Sequence, residues 1–94
     1  SEIVKNNLPN LDLEKAQIMR KLARKENWGH KYDRTEHFKR FQNLDKCIKE
    51  LEKIGWLIVH KKGRFTGLSL NTQYKTEIRN FILSHIPEMQ EMMK

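Results

Sequence analysis

Ninety-four residues allow one domain with a modest core and leave no room for a second. A charged fraction of 33%, a hydrophobic fraction of 37% and a net charge of +7 predict a chain that folds and carries a positive field, favouring nucleic acid first and acidic membrane or protein surfaces second. No apolar run reaches membrane-spanning length, no secretory leader pattern opens the chain, and the single cysteine, Cys47, excludes an internal disulfide; a cytoplasmic, reducing setting is the expectation.

Residues 1–10 mix polar side chains with a proline and read as a loose arm, residues 11–86 as the folded domain and residues 87–94 as a tail. Asp12 is placed to cap a first helix in which Ala16, Ile18, Met19, Leu22 and Ala23 recur at helical spacing, with an end in the polar run Arg24-Lys25-Glu26-Asn27 before Gly29. Trp28 to Tyr32 is a connector with room for a short extended segment. Asp33 followed by Glu36 resembles a reciprocal cap, so a second helix is expected there, with Phe38 and Phe41 on its buried side.

From Asn43 onward, Leu44, Cys47, Ile48, Leu51 and Ile54 form an apolar stripe, and Gly55 stands where a left-handed residue ends a helix. A competing pattern runs through Phe38, Phe41, Leu44, Ile48 and Leu51 as one unbroken helix, because the break at Gln42-Asn43 rests only on Asn as a cap. Trp56-Leu57-Ile58-Val59 and residues 66–70 read as two strands of a hairpin. Asn71 or Thr72 then caps a last helix with Tyr74, Ile78, Phe81, Ile82 and Ile86 along one side, stopped by Pro87.

Residues 44–70 read LDKCIKELEKIGWLIVHKKGRFTGLSL. This stretch, and LEKIGWLIV above all, resembles the winged helix-turn-helix superfamily of DNA-binding domains, in which an amphipathic third helix runs through a Leu-x-x-x-Gly-hydrophobic junction into a β-hairpin wing rich in Lys or Arg. The resemblance implies an α+β fold, a three-helix core with a two-stranded wing and a C-terminal helix. It also implies binding of double-stranded DNA, as in a small prokaryotic-type transcriptional regulator.

At about 100° per residue, Gln42, Lys46, Lys49 and Lys53 project within about 60° of one another, opposite the apolar stripe. In a major groove, Lys46 and Lys49 reach phosphates or guanine edges, and Gln42 and Asn43 carry the paired donor and acceptor that read adenine. Lys61, Lys62 and Arg64 surround Gly63 at the hairpin tip, where a turn needs glycine but not three cations; counterion release on phosphates accounts for them. Arg34, Lys39 and Arg40 fall near the second helical start, where the family often contacts the DNA backbone. The plain alternatives are a solvated helix face, balanced by Asp45, Glu50 and Glu52, and a charged hairpin edge that prevents sheet association.

Ile82, Ile86, Met89 and Met93 either form a homodimer seam, as terminal helices do in many members of the superfamily, or merely close the core. The spacing of His30, His37, Cys47 and His60 matches no trusted metal-ligand pair, and no phosphate loop, nucleophile turn or isolated carboxylate pair occurs, so neither a cofactor nor an enzyme is expected. A protein-binding or RNA-binding module, or the accessory domain of a replication or helicase protein, is the alternative to a regulator.

Overall fold

Helix α1 (Leu11–Arg24) buries Ala16, Ile18, Met19 and Leu22 and carries Asp12 and Glu14 in its first turn, where carboxylates oppose the helix dipole. The computed structural model describes residues 11–86. The helix ends by a left-handed reversal at Glu26 (φ 58°), with Glu26 N–H donating to the Ala23 carbonyl at 3.0 Å and Asn27 N–H to that of Leu22 at 2.9 Å. A glycine is at home in this conformation and a glutamate is not. Glu26→Gly is therefore expected to raise stability by about 1 kcal/mol, read as a higher denaturation midpoint at unchanged slope.

Gly29, at φ +66°, turns the connector onto the sheet. Its N–H donates to the Leu70 carbonyl at 2.9 Å and Leu70 N–H donates to that of Asn27 at 2.8 Å, so Trp28 bridges Leu70 in parallel. The connector thus has the short extended contact anticipated for it.

The second helix is not α-helical. Asp33–Arg34 form strand β1, which pairs antiparallel with Leu68 and Gly67, and Thr35–Phe38 make only a 3-10 turn. The pairing with Leu68 and Gly67 takes the segment, and the Asp33 carboxylate is engaged elsewhere than as a cap: it accepts from Arg34 N–H at 2.9 Å and from His37 Nδ1 at 2.6 Å on one oxygen, and from Lys25 Nζ at 3.2 Å on the other. Glu36 meets the Arg34 guanidinium at 3.3 Å, with no reciprocal cap. Phe38 and Phe41 are nonetheless buried, as expected.

Helix α2 (Leu44–Lys53) starts separately, which removes the unbroken-helix alternative. Asn43 provides no side-chain cap; instead the Glu14 carboxylate of α1 accepts from Asn43 N–H at 2.8 Å, and the Asn43 carbonyl accepts from Cys47 N–H at 2.9 Å. Glu14 thereby does from another helix what the third-position glutamate of a capping box does from its own. Cys47 and Leu51 are buried, Leu44 and Ile48 half-buried, and Ile54, past the last turn, is 52% exposed rather than in the core. Gly55 (φ 87°) closes the helix by a Schellman pair, Gly55 N–H to the Glu52 carbonyl and Trp56 N–H to that of Leu51.

Strands β2 (Leu57–Lys61) and β3 (Thr66–Leu70) pair from Leu57↔Leu70 to Lys61↔Thr66, and Lys62 N–H to the Phe65 carbonyl closes the turn. The sheet is antiparallel with order β1-β3-β2, three strands rather than the anticipated two. Asn71 Oδ1 accepts from Gln73 N–H at 3.0 Å, starting a 3-10 turn (Thr72–Tyr74), while its amide donates to the Gly55 carbonyl at 2.8 Å. Helix α3 (Lys75–His85) follows and buries Ile78 and Ile82; Ile86, also buried, caps its end. Ile82 and Ile86 thus close this chain's own core, whereas Met89 and Met93 lie outside the described residues. The architecture is α+β, three α-helices and one sheet, and no described helix is long and apolar enough to cross a membrane.

Candidate nucleic-acid interface

The buried pair Cys47 and Leu51 orients α2, so that Gln42, Lys46, Lys49 and Lys53 are all exposed. Asp45 and Glu52 share that outer surface. Glu50 does not: it pairs with Lys15 of α1, and that hydrogen bond and charge, helped by Lys46 and Lys53, hold its carboxyl below the usual range. Asn43 is half-buried and its amide nitrogen lies 3.4 Å from Glu14, so it supports the helix start more than it offers a free reading edge.

Across from α2, Lys61, Lys62 and Arg64 are exposed, and among the described residues none of them has a carboxylate at ion-pair distance. Lys61 is the last residue of β2 rather than part of the turn. Beneath the tip, Tyr32 stacks on His60 at 4.9 Å and meets Phe65 at 5.9 Å, with the Arg34 guanidinium 4.4 Å above Phe65 and the Lys62 ammonium 5.6 Å from Tyr32. Gly67 makes room for this stack, since a Cβ there would stand 2.4 Å from a Tyr32 ring carbon. Ser69 hydroxyl donates to the Gly29 carbonyl at 2.9 Å and accepts from His60 Nε2 at 2.9 Å, which fixes the proton on that nitrogen. The sequence pattern does not single out Tyr32, His60 or Ser69; glycine at an interior strand position is the one signal that points to them.

Helix and hairpin face each other over a groove of about 500 Å³. Its floor is Leu44, Ile48 and Val59, and Lys39, Lys49 and Lys61 stand on its rim with Asp45, Glu36 and Glu52. A second depression at the start of α2, about 390 Å³, is bordered by Lys39, Gln42, Asn43 and Lys46. Lys39 belongs to both. Lys53, Lys62, Arg64 and Arg34 border neither, nor does Arg40, whose guanidinium lies 4.6 Å from the Phe41 ring.

Burial raises the Asp33 pKa, but hydrogen bonds from His37, Lys25 and the Arg34 N–H outweigh it and hold the carboxyl below its usual value. A lowered folded-state pKa means a stabilising contribution present above the unfolded pKa of about 3.9 and lost as pH falls through the folded value. Asp33→Asn is expected to cost about 1.5 kcal/mol at pH 7 and to flatten the acid limb of stability against pH, measured by urea denaturation from neutral to about pH 3.

Cys47 is no candidate nucleophile: burial, and then the neighbouring Glu14 carboxylate, push its thiol up to about 11. Among the described residues no three His, Cys, Asp or Glu side chains converge as metal ligands would. No family model, curated protein or solved structure matches this chain.

Proposed function

We propose that this chain is a winged-helix domain that binds double-stranded DNA, with α2 in the major groove and the β2–β3 hairpin as the wing on the phosphate backbone, acting as a transcriptional regulator. The observation that carries the reading is that exposed Lys49 on α2 and Lys61 on the hairpin stand on one groove, with Lys46, Lys62 and Arg64 exposed on the same two elements and, among the described residues, no carboxylate at ion-pair distance from Lys61, Lys62 or Arg64. Phosphate contacts from the hairpin and Lys39 position the helix, and Gln42, Lys46 and Lys49 face the base edges.

Asp45 and Glu52 on the same rim, above the apolar floor of Leu44, Ile48 and Val59, favour a second reading in which the groove holds a protein segment. Titration of labelled duplex DNA, single-stranded DNA and RNA separates the two. Preferential duplex binding, weakened by Lys46→Ala/Lys49→Ala, supports the DNA reading; equal indifference to all three nucleic acids contradicts it and leaves the groove to a protein.

A further inference from the structure

A separate depression of about 370 Å³ is lined by Arg20, Lys21, Arg24, Lys25 and Arg40 and, among the described residues, by no carboxylate. Arg20, Lys21 and Arg24 lie in the last turns of α1 and Lys25 just past its end, and Arg20 with Arg24 forms a like-charge pair at a spacing that disfavours a helix. The dipole at a helix end favours cations in the last turn, which accounts for Lys21 and Arg24. It does not account for Arg40, which comes to the same spot from the segment between the 3-10 turn and α2.

Part of the cluster has structural work. Lys21 donates to the His37 carbonyl and lies 4.5 Å from the Phe38 ring centre, and Lys25 pairs with Asp33. Arg24 and Arg40 are exposed and pair with no carboxylate among the described residues. Burial, then the charges of Lys25 and Arg40, depress the Lys21 pKa against the opposing pull of Asp33. The site already resists its own charge, and an anion would relieve it. Two guanidinium groups suit the tetrahedral oxygens of phosphate, which they bind in bidentate fashion.

Continuity selects the source of the phosphate. Lys39 borders both depressions on the α2 side and its neighbour Arg40 borders this one, so basic surface runs from the start of α2 to the end of α1. We propose that the cluster of Arg20, Lys21, Arg24, Lys25 and Arg40 is a second phosphate-binding site, holding the sugar-phosphate backbone of the DNA beyond the stretch met by α2 and the hairpin. This rests on the DNA-binding reading above.

The test has two arms on the full chain. In the first, inorganic tripolyphosphate is titrated while amide NMR shifts are followed. The expected shifts centre on residues 20–25 and 40 and vanish in Arg24→Gln/Arg40→Gln, whose melting temperature matches wild type; shifts spread evenly over all basic residues overturn the site. In the second, duplex affinity is measured against salt for the same variant. The slope of log affinity on log salt should become shallower by about 0.9 for each phosphate that the variant no longer neutralises. Tripolyphosphate binding with an unchanged duplex slope overturns the assignment to nucleic-acid backbone. A wild type that binds no duplex at all defeats the functional reading and the backbone assignment together, while the tripolyphosphate arm still reports whether the anion site exists.

Discussion

Phe38→Ala is expected to cost about 3–5 kcal/mol, the range for deleting a fully buried aromatic ring. Native domains are stable by about 5–15 kcal/mol, so the variant should lose a large share of its stability. The magnitude follows from Phe38 being the side chain by which its turn enters the core. Thr35–Phe38 is a 3-10 turn of four residues, and Phe38 is the buried residue it contributes to the core. The ring sits 6.2 Å from that of Phe41 and beneath the Lys21 ammonium. A full helix would spread the same anchoring over several turns. Urea denaturation followed by circular dichroism measures the change, and a cost below about 1 kcal/mol would show that the turn is held elsewhere.

Reversing the hairpin tip, Lys61→Glu/Lys62→Glu/Arg64→Glu, should leave stability nearly unchanged and weaken duplex binding on the order of 100-fold at about 0.1 M salt. Stability is spared because all three side chains are exposed and none holds an ion pair within the described residues. The stack of Tyr32, His60 and Phe65 and the Ser69 hydrogen bonds support the strands from beneath, and of the three charges Lys62 alone touches that stack, 5.6 Å from the Tyr32 ring. Binding suffers because each reversal removes a counterion-releasing cation and adds repulsion against phosphate. Gel-shift or fluorescence anisotropy titration reads the affinity, and an unchanged melting curve certifies the fold.

Much of this molecule is legible in its sequence, for identifiable reasons. The stripe through Cys47 and Leu51 with Gly55 behind it marks α2, because helical periodicity and a left-handed closing residue are both local signals. Ile78, Ile82 and Ile86 mark α3 in the same way, whereas Asn71, expected to cap that helix, caps the 3-10 turn Thr72–Tyr74 that precedes it. Where the pattern misleads, the structure is decided at a distance. Asp33 and Glu36 carry the spacing of a cap, yet Lys25, eight residues back, and Gly67 and Leu68 across the sheet take the segment into β1 instead.

The start of α2 shows the same limit from the other side. Asn43 marks the break at Gln42-Asn43, but Glu14, twenty-nine residues earlier, makes it. Among the expected DNA-facing residues, the exposed lysines of α2 and the hairpin are readable from periodicity and from the glycine at the turn. The place of Arg40 is not, since its neighbours at the end of α1 are brought to it only by the tertiary fold.

If the hairpin and α2 form one DNA-binding face, the salt dependence of binding must show it. Duplex affinity would be measured for wild type and for Lys61→Glu/Lys62→Glu/Arg64→Glu between about 50 and 200 mM salt, where log affinity falls linearly with log salt in proportion to the phosphates neutralised. A shared face gives a steep wild-type line and a variant line shallower by about 0.9 for each phosphate released from the hairpin. Superimposable lines, or a wild type that does not bind duplex, would contradict it.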